Sequence, residues 1–366
     1  MQHITSWLCQ LALVVSALPV SAESALAETL YVDNETGNDI NSGTKEDPLR
    51  TIGKAAEIVN NRAETGPTTI KIAPGIYILD KPVLFENSRA YTKDKRLVLE
   101  ATILPDQPEW SPDLMPLILS TQNPPDSSQR GRDTIGLKIE VSHVTIQGLK
   151  FMGNLTHQAN YTPIRRDGMN LDDLVVTQCL FTADKLVMPM HLPILAHGHG
   201  LVVDHCVFYN CQNSVVFWNA KGGSSKGNAM KYCIVYGAYT SGVWTSQTAE
   251  DFEFHHNIIS SCEYFWMRGD NNKKRYRTRD CIVTNNEFYS GSGGAAKITG
   301  ETGSGITFDE ENITKEGTVE LVADLQDIVG KNGLIKPRNH LHIVPGALGS
   351  DLGAGLFKNT KGGSNP

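Results

Sequence analysis

Beyond its first two dozen residues the sequence has no apolar run long enough to cross a bilayer, so the remainder is expected to be soluble. It has no C-x-x-C pair, which argues against a structural zinc site. It has no dense acidic group that would supply six oxygen ligands for calcium. No nucleic-acid motif accompanies its one short basic run, Lys273 to Arg279, so nucleic-acid binding is not expected. It also lacks the composition of a helical protein: 33 Gly and 17 Pro punctuate many short β-branched segments. The net charge of −7 describes the whole surface and leaves room for a basic cleft.

The chain opens with an apolar run from Trp7 to Val20, too short to span a membrane. Two small-residue sites follow, Val20-Ser21-Ala22 and Ala25-Leu26-Ala27. Residues 1–27 are therefore expected to be a signal peptide and 28–366 the mature domain, exported to the periplasm or the medium. Cys9 would leave with the signal, so six of the seven cysteines stay.

Internal repetition decides the fold. Six segments share one pattern: Val144–Phe151, Leu174–Phe181, Leu201–Phe208, Asn228–Val235, Phe252–Ile259 and Cys281–Phe288. Their sixth positions are Leu149, Cys179, Cys206, Cys233, Asn257 and Asn286. Three positions earlier stand Ile146, Val176, Val203, Met230, Phe254 and Val283, and two later Phe151, Phe181, Phe208, Val235, Ile259 and Phe288. Each is apolar. A strand, a tight bend and a second strand fit this spacing, with like residues stacked ~4.8 Å apart along a solenoid axis.

With Asn257 and Asn286 at the bend, the pattern resembles the pectin lyase-like superfamily, which stacks Asn there. Cys179, Cys206 and Cys233 depart from that ladder. The stretch Tyr31 to Ile52 resembles the opening of secreted β-helix proteins, in which a helix, here about Ile52 to Asn60, caps the first coil. Thr69–Tyr77 resembles the first coil strands and Gly353–Phe357 a closing turn. The resemblance implies an all-β solenoid, a right-handed single-stranded parallel β-helix, with core coils over about 66–300 and a C-terminal extension 301–366. Thr318 to Val329 carries apolar residues largely on one helical face and is expected to be a short helix packed on the coils or covering their far end.

Parallel stacking fits poorly with disulfide torsion, so the cysteines are expected to be small core residues. Asp172-Asp173 followed by Gly198-His199-Gly200 resembles polygalacturonases, but the coil alignment puts both motifs in the turn leading into the bend-side strand, where Asp and Gly serve the backbone. The sequons Asn154-Leu-Thr156 and Asn160-Tyr-Thr162 matter only if the source glycosylates exported proteins.

In the superfamily the substrate lies across the sheet opposite the bend. That sheet is expected to contain Thr162–Arg166, Pro189–Pro193, Ser214–Asn219, Ser241–Ser246, Tyr264–Asp270 and Gly294–Thr299. Its cations and rings suit an anionic polysaccharide, because Arg forks bind carboxylates and indoles lie on sugar faces. Elimination at a uronate needs a neutralised carboxylate, a base and a proton for the leaving oxygen. The candidate catalytic residues are Arg268, Lys221, His191 and Lys297; the candidate binding residues are Arg165, Arg166, Trp218, Asn219, Trp244 and Lys273. The leading expectation is a monomeric, secreted carbon–oxygen lyase with no cofactor, a calcium-assisted variant being open. The alternatives are a glycoside hydrolase using two of Asp167, Asp172 and Asp270, and a solenoid that only binds glycan.

Overall fold

The computed structural model describes residues 28–62, 66–86, 91–124, 133–156, 160–219, 223–269, 274–294, 297–299, 306–322 and 336–358. Residues 1–27, expected to be a signal peptide, and Lys221, Asp270 and Lys273 lie outside the described residues.

Parallel strands stack coil upon coil into two sheets, one of seventeen strands that runs around the bend and one of nine strands opposite it. The nine-stranded sheet is called the front sheet below, and the other the bend-side sheet. The strands are parallel, and because connections between parallel strands of one sheet are right-handed, this is the right-handed parallel β-helix implied by the resemblance to the pectin lyase-like superfamily. Each coil turns at residues in the left-handed region. At the central bend these are Gly148, Gln178, His205, Tyr232, His256 and Asp280, with φ between 50° and 72°. The residue after each of them tucks inward: Leu149, Cys179, Cys206, Cys233, Asn257 and Cys281, all buried.

The last member corrects the sequence alignment. Ile258 pairs with Ile282 and Ser260 with Thr284, so the neighbour of Asn257 is Cys281, not Asn286. Asn286 belongs one bend further on, beside Cys262. The apolar alternation from Tyr276 to Phe288 satisfies two registers five residues apart, and a buried polar residue, Thr278, occupies the true inward position. Both asparagines nonetheless do the same work. Asn257 accepts the Cys233 N–H at 2.9 Å and donates to the Met230 carbonyl at 2.8 Å. Asn286 accepts from the Cys262 N–H at 2.9 Å and donates to Ile259 at 3.0 Å.

The six described cysteines are free and buried. Cys179, Cys206 and Cys233 each point the thiol at a carbonyl of the preceding coil, 3.5–3.7 Å away. Burial raises their pKa values well above the ordinary range at Cys179 and Cys206.

The helix Ile52–Asn61 covers the first coil with Ile52, Ala55, Ala56 and Val59, and Thr51 caps it by accepting the Lys54 N–H at 3.0 Å. This protects an otherwise open strand end. The C-terminal segment differs from expectation. Residues 318–322 form no helix, and Leu321 makes an antiparallel bridge to Ile343; residues 323–329 lie outside the described set. Residues 336–358 run as a strap along the outside of the bend-side sheet. There Leu341, Ile343, Leu356 and Phe357 cover a stripe of stacked aliphatic residues, Leu180, Val207, Ile234, Ile258 and Ile282. The stripe is apolar on its outer side because the strap is there to bury it.

Candidate functional site on the front sheet

The strand register decides which side chains face solvent. Ile164, Ile194, Val215, Val243 and Trp266 lie side by side on successive coils and form the inner lining. One residue on, Arg165, Leu195, Val216, Trp244 and Met267 lie on the outer side, with Lys138 beside Arg165 on the preceding coil; Val216 and Met267 are nonetheless covered and buried. Two residues on, Arg166, Ala196, Phe217, Thr245 and Arg268 point inward again, as the period of two requires.

Arg165 organises the outer face. Its Nε donates to Asp167 Oδ1 at 2.7 Å and its Nη1 to Asp133 Oδ2 at 3.3 Å. Burial works against the guanidinium charge, but the two carboxylates outweigh it and raise the Arg165 pKa. Lys138 Nζ stands 3.3 Å from Glu140 Oε1 and 3.9 Å from Asp167 Oδ2. Two cations and three carboxylates therefore meet on one patch, which has no surplus positive charge.

Two histidines flank it. His191 Nδ1 lies 2.7 Å from Gln212 Oε1; since that oxygen only accepts, Nδ1 carries the proton and Nε2 keeps a lone pair. Burial lowers the His191 pKa, opposed by Gln212 and the Asp133 charge, so the ring is neutral near pH 7. Burial also lowers the pKa of His197, with Asp167 opposing and Arg165 and Arg166 adding to the effect. Its Nδ1 is buried with no hydrogen-bond partner among the described residues. Further along the axis, the indoles of Trp218 and Trp244 meet edge to face with centroids 5.4 Å apart. Both lean over the end of strand Tyr264–Arg268: a Cβ on Gly269 would stand 2.9 Å from Trp218 and 3.0 Å from Trp244.

Several expected site residues are elsewhere. Arg166 is completely buried and staples a turn from inside, Nε to the His197 carbonyl at 2.6 Å and Nη2 to that of His199 at 2.7 Å. Burial pulls its pKa down to about 10, against the attraction of Asp172 and Asp173. Arg268 also points inward and is 7% exposed, and Asn219 is buried, its Nδ2 bonded to the Gly223 carbonyl at 2.8 Å. None of the three presents its side chain on the outer face. His191 precedes its front strand, which is Ile194–Ala196 and not Pro189–Pro193. The strand expected at Gly294–Thr299 is instead Phe288–Gly294, and Lys297 falls in a short strand antiparallel to it. Of the expected residues, Arg165, His191, Trp218 and Trp244 share the front side.

Sequence reading missed Asp133, Lys138, Glu140, His197 and Gln212. Strand Asp133–Ile139 carries the alternating burial of a coil strand, and that alternation in Asp-Thr-Ile-Gly-Leu-Lys-Ile was the available signal. The turn motifs behave as the alignment expects. Gly198 and Gly200 have φ of 85° and 61°, and Asp173 is ion-paired to Arg96 and lies 2.8 Å from His143 Nδ1. Asn154 of the first sequon is fully buried, its Nδ2 bonded to Ser120, Gln122 and Thr134, so a glycan has no access to it.

A depression of about 500 Å³ lies outside the bend-side sheet between Lys231, Glu253, Arg277 and Arg279. Arg279 pairs with Glu253 at 3.7 Å, and Arg277 with Glu311 outside the depression at 2.7 Å. Among the described residues no group of three or more His, Cys, Asp or Glu side chains is placed to hold a metal ion, and no helix is long and apolar enough to cross a membrane.

No family model and no curated protein sequence matches the chain. Among solved structures, a rhamnogalacturonan lyase aligns over 90% of this chain and 100% of its own, at 13% identity and a TM-score of 0.48. A GH136 lacto-N-biosidase from Eubacterium ramulus aligns over 79% of this chain and 55% of its own, at 9% identity and a TM-score of 0.47. A pectin methylesterase from Aspergillus niger aligns over 85% and 96%, at 13% identity and a TM-score of 0.43. These neighbours bear the names of three different activities; the right-handed parallel β-helix rests on the chain's own strand register.

Proposed function

We propose that this chain is an exported carbohydrate-active enzyme that lays a polysaccharide along the outside of the front sheet and hydrolyses it with Asp133 and Asp167. The observation that carries the reading is the pair of carboxylates held on two edges of one guanidinium, at 2.7 and 3.3 Å. Guanidinium geometry keeps the two bonded oxygens within about 8 Å of each other. Glycosidases work with carboxyl groups about 5–9.5 Å apart, one protonating the leaving oxygen and the other attacking or activating water. Both carboxylates hydrogen-bond to Arg165 in the free protein. Hydrolysis by this pair requires that one of the two be protonated when sugar is bound. From Lys138 through Arg165 to Leu195 the outer column spans two coil steps, ~10 Å at ~4.8 Å each, before Val216 is covered, with the indoles beyond it.

A second reading, elimination at a uronate, is favoured by His191, a neutral base with an open Nε2 on the same side as Arg165. The balance of two cations against three carboxylates counts against it, because the substrate carboxylate must compete with Asp133 and Asp167 for Arg165. Incubation with neutral and uronate-containing polysaccharides separates the two. Hydrolysis gives new reducing ends without the ultraviolet absorbance of an unsaturated uronate, and Asp167→Asn lowers the rate about 100-fold or more. Appearance of that absorbance would replace hydrolysis by elimination, and binding without either product would leave a glycan-binding scaffold.

A further inference from the structure

The strap 336–358 is held partly by groups that do not titrate near neutrality. Arg338 donates to the carbonyls of Pro105, Gln107 and Trp110 at 2.8–3.0 Å, and Gln178 Nε2 donates to the Leu356 carbonyl at 2.8 Å. Two histidines close the strap on itself, through the bonds of His342 to Leu356 and His340. His342 is fully buried, with its ring stacked on Phe357 at 4.8 Å between centroids. The Leu356 N–H donates to its Nε2 at 2.8 Å, and its Nδ1 lies 3.1 Å from the His340 carbonyl. That arrangement admits one form of the ring: Nδ1 must carry a proton and Nε2 must not. A proton on Nε2 would face the Leu356 N–H donor to donor and break the bond that folds the strap so that Gln178 can hold the Leu356 carbonyl. Gly355 fits so closely that a Cβ there would stand 2.3 Å from the ring, which leaves no room to turn it away.

His340 adds to this from a different environment. It is 9% exposed, and the charged groups facing it are Lys336 on the strap, Lys150 on the coil beneath and Asp113 on the neighbouring loop. Two cations and one carboxylate disfavour a third positive charge. Around the strap's end, Lys358 N bonds Asp106 at 3.0 Å and Lys358 Nζ lies 3.7 Å from Asp204. Among the described residues no carboxylate is hydrogen-bonded or ion-paired to either imidazole.

We propose that His340 and His342 form an acid-released latch, which holds the strap on the solenoid at neutral pH and frees it when both rings take up protons. Burial lowers both pKa values to about 4, with His340 further depressed by Lys336 and Lys150. A folded pKa below the ordinary 6.5 stabilises the closed strap fully above about pH 6.5, and that stabilisation is lost as pH falls toward 4. Between about pH 7.5 and about pH 5, the opening equilibrium rises about 30-fold for each ring and about a thousandfold for both. Opening uncovers the stripe Leu180, Val207, Ile234, Ile258 and Ile282.

Hydrogen exchange of the full chain, corrected for intrinsic rate, tests this by comparing amides of the strap with coil amides at Val176, Val203 and Met230. The strap loses protection by about two to three orders of magnitude over that pH range while the coils hold theirs, and His340→Asn combined with His342→Gln flattens the response. A strap that tracks the coils, or a response that survives in the double variant, overturns the proposal. Should the double variant leave the strap open at every pH, Lys336→Met decides instead. Removing the like charge beside His340 shrinks the response several-fold if the imidazoles are the trigger; an unchanged response rejects the latch.

Discussion

Lys150 stands in an aliphatic column on the outside of the bend-side sheet, between Leu117 and Leu180 on the neighbouring coils, and is 9% exposed. Burial, with the charge of Lys336 beside it, brings its pKa down to about 8. A lysine whose folded pKa is lowered costs nothing above about pH 10.5. The cost grows as pH falls toward 8 and is constant below. Lys150→Met is therefore expected to stabilise the protein by about 2–3 kcal/mol near pH 7. The advantage should shrink as pH rises through 8 to 10.5, as read from thermal melts at both ends of that range. Asn257 presents the opposite case, a buried polar group whose oxygen and nitrogen are both used. Asn257→Leu strands the Cys233 N–H and should cost about 2–3 kcal/mol by denaturant unfolding. Asn257→Cys, which matches the thiols above and below it, should cost less than half as much.

At the scale of the strand the sequence is most legible, with the last coil as the exception. The apolar column from Ile146 to Phe254 and its partner from Phe151 to Ile259 are where the alignment put them, because two-faced strands fix their own register. The capping helix was legible from its opening motif. The last coil was not, since a buried Thr278 broke the apolar signal on which the register depended. Arg165 and Arg166 show the matching limit for the site. Adjacent residues of a strand face opposite sides, so two arginines in a row cannot both line one surface. Which of them faces out depends on the phase of the strand, and Ile164 sets it. The lone pair on His191 and the pairing of Asp133 with Asp167 through Arg165 come from different coils, beyond the reach of local pattern. The thiols give a test at this scale: the six cysteines of the coils should resist a thiol-specific reagent in the native protein and all react once it is unfolded.

At the scale of the whole molecule the solenoid has two dressed sides. One carries the strap over an aliphatic stripe, and the other carries the charged patch and the indole pair. Arg166 and Arg268 lie inside and Lys138 and Arg165 are matched by carboxylates, so the described front face is not a cationic track. Binding of glycan there should depend only weakly on salt, falling less than about threefold between about 50 and 500 mM, because counterion release needs unpaired cations. If the outside of the front sheet is the working face, a crystal structure with a bound oligosaccharide will show sugar rings over Lys138, Arg165 and Leu195, with a glycosidic oxygen beside Asp133 and Asp167. Sugar bound instead in the depression between Lys231 and Arg279, or along the strap, would contradict it.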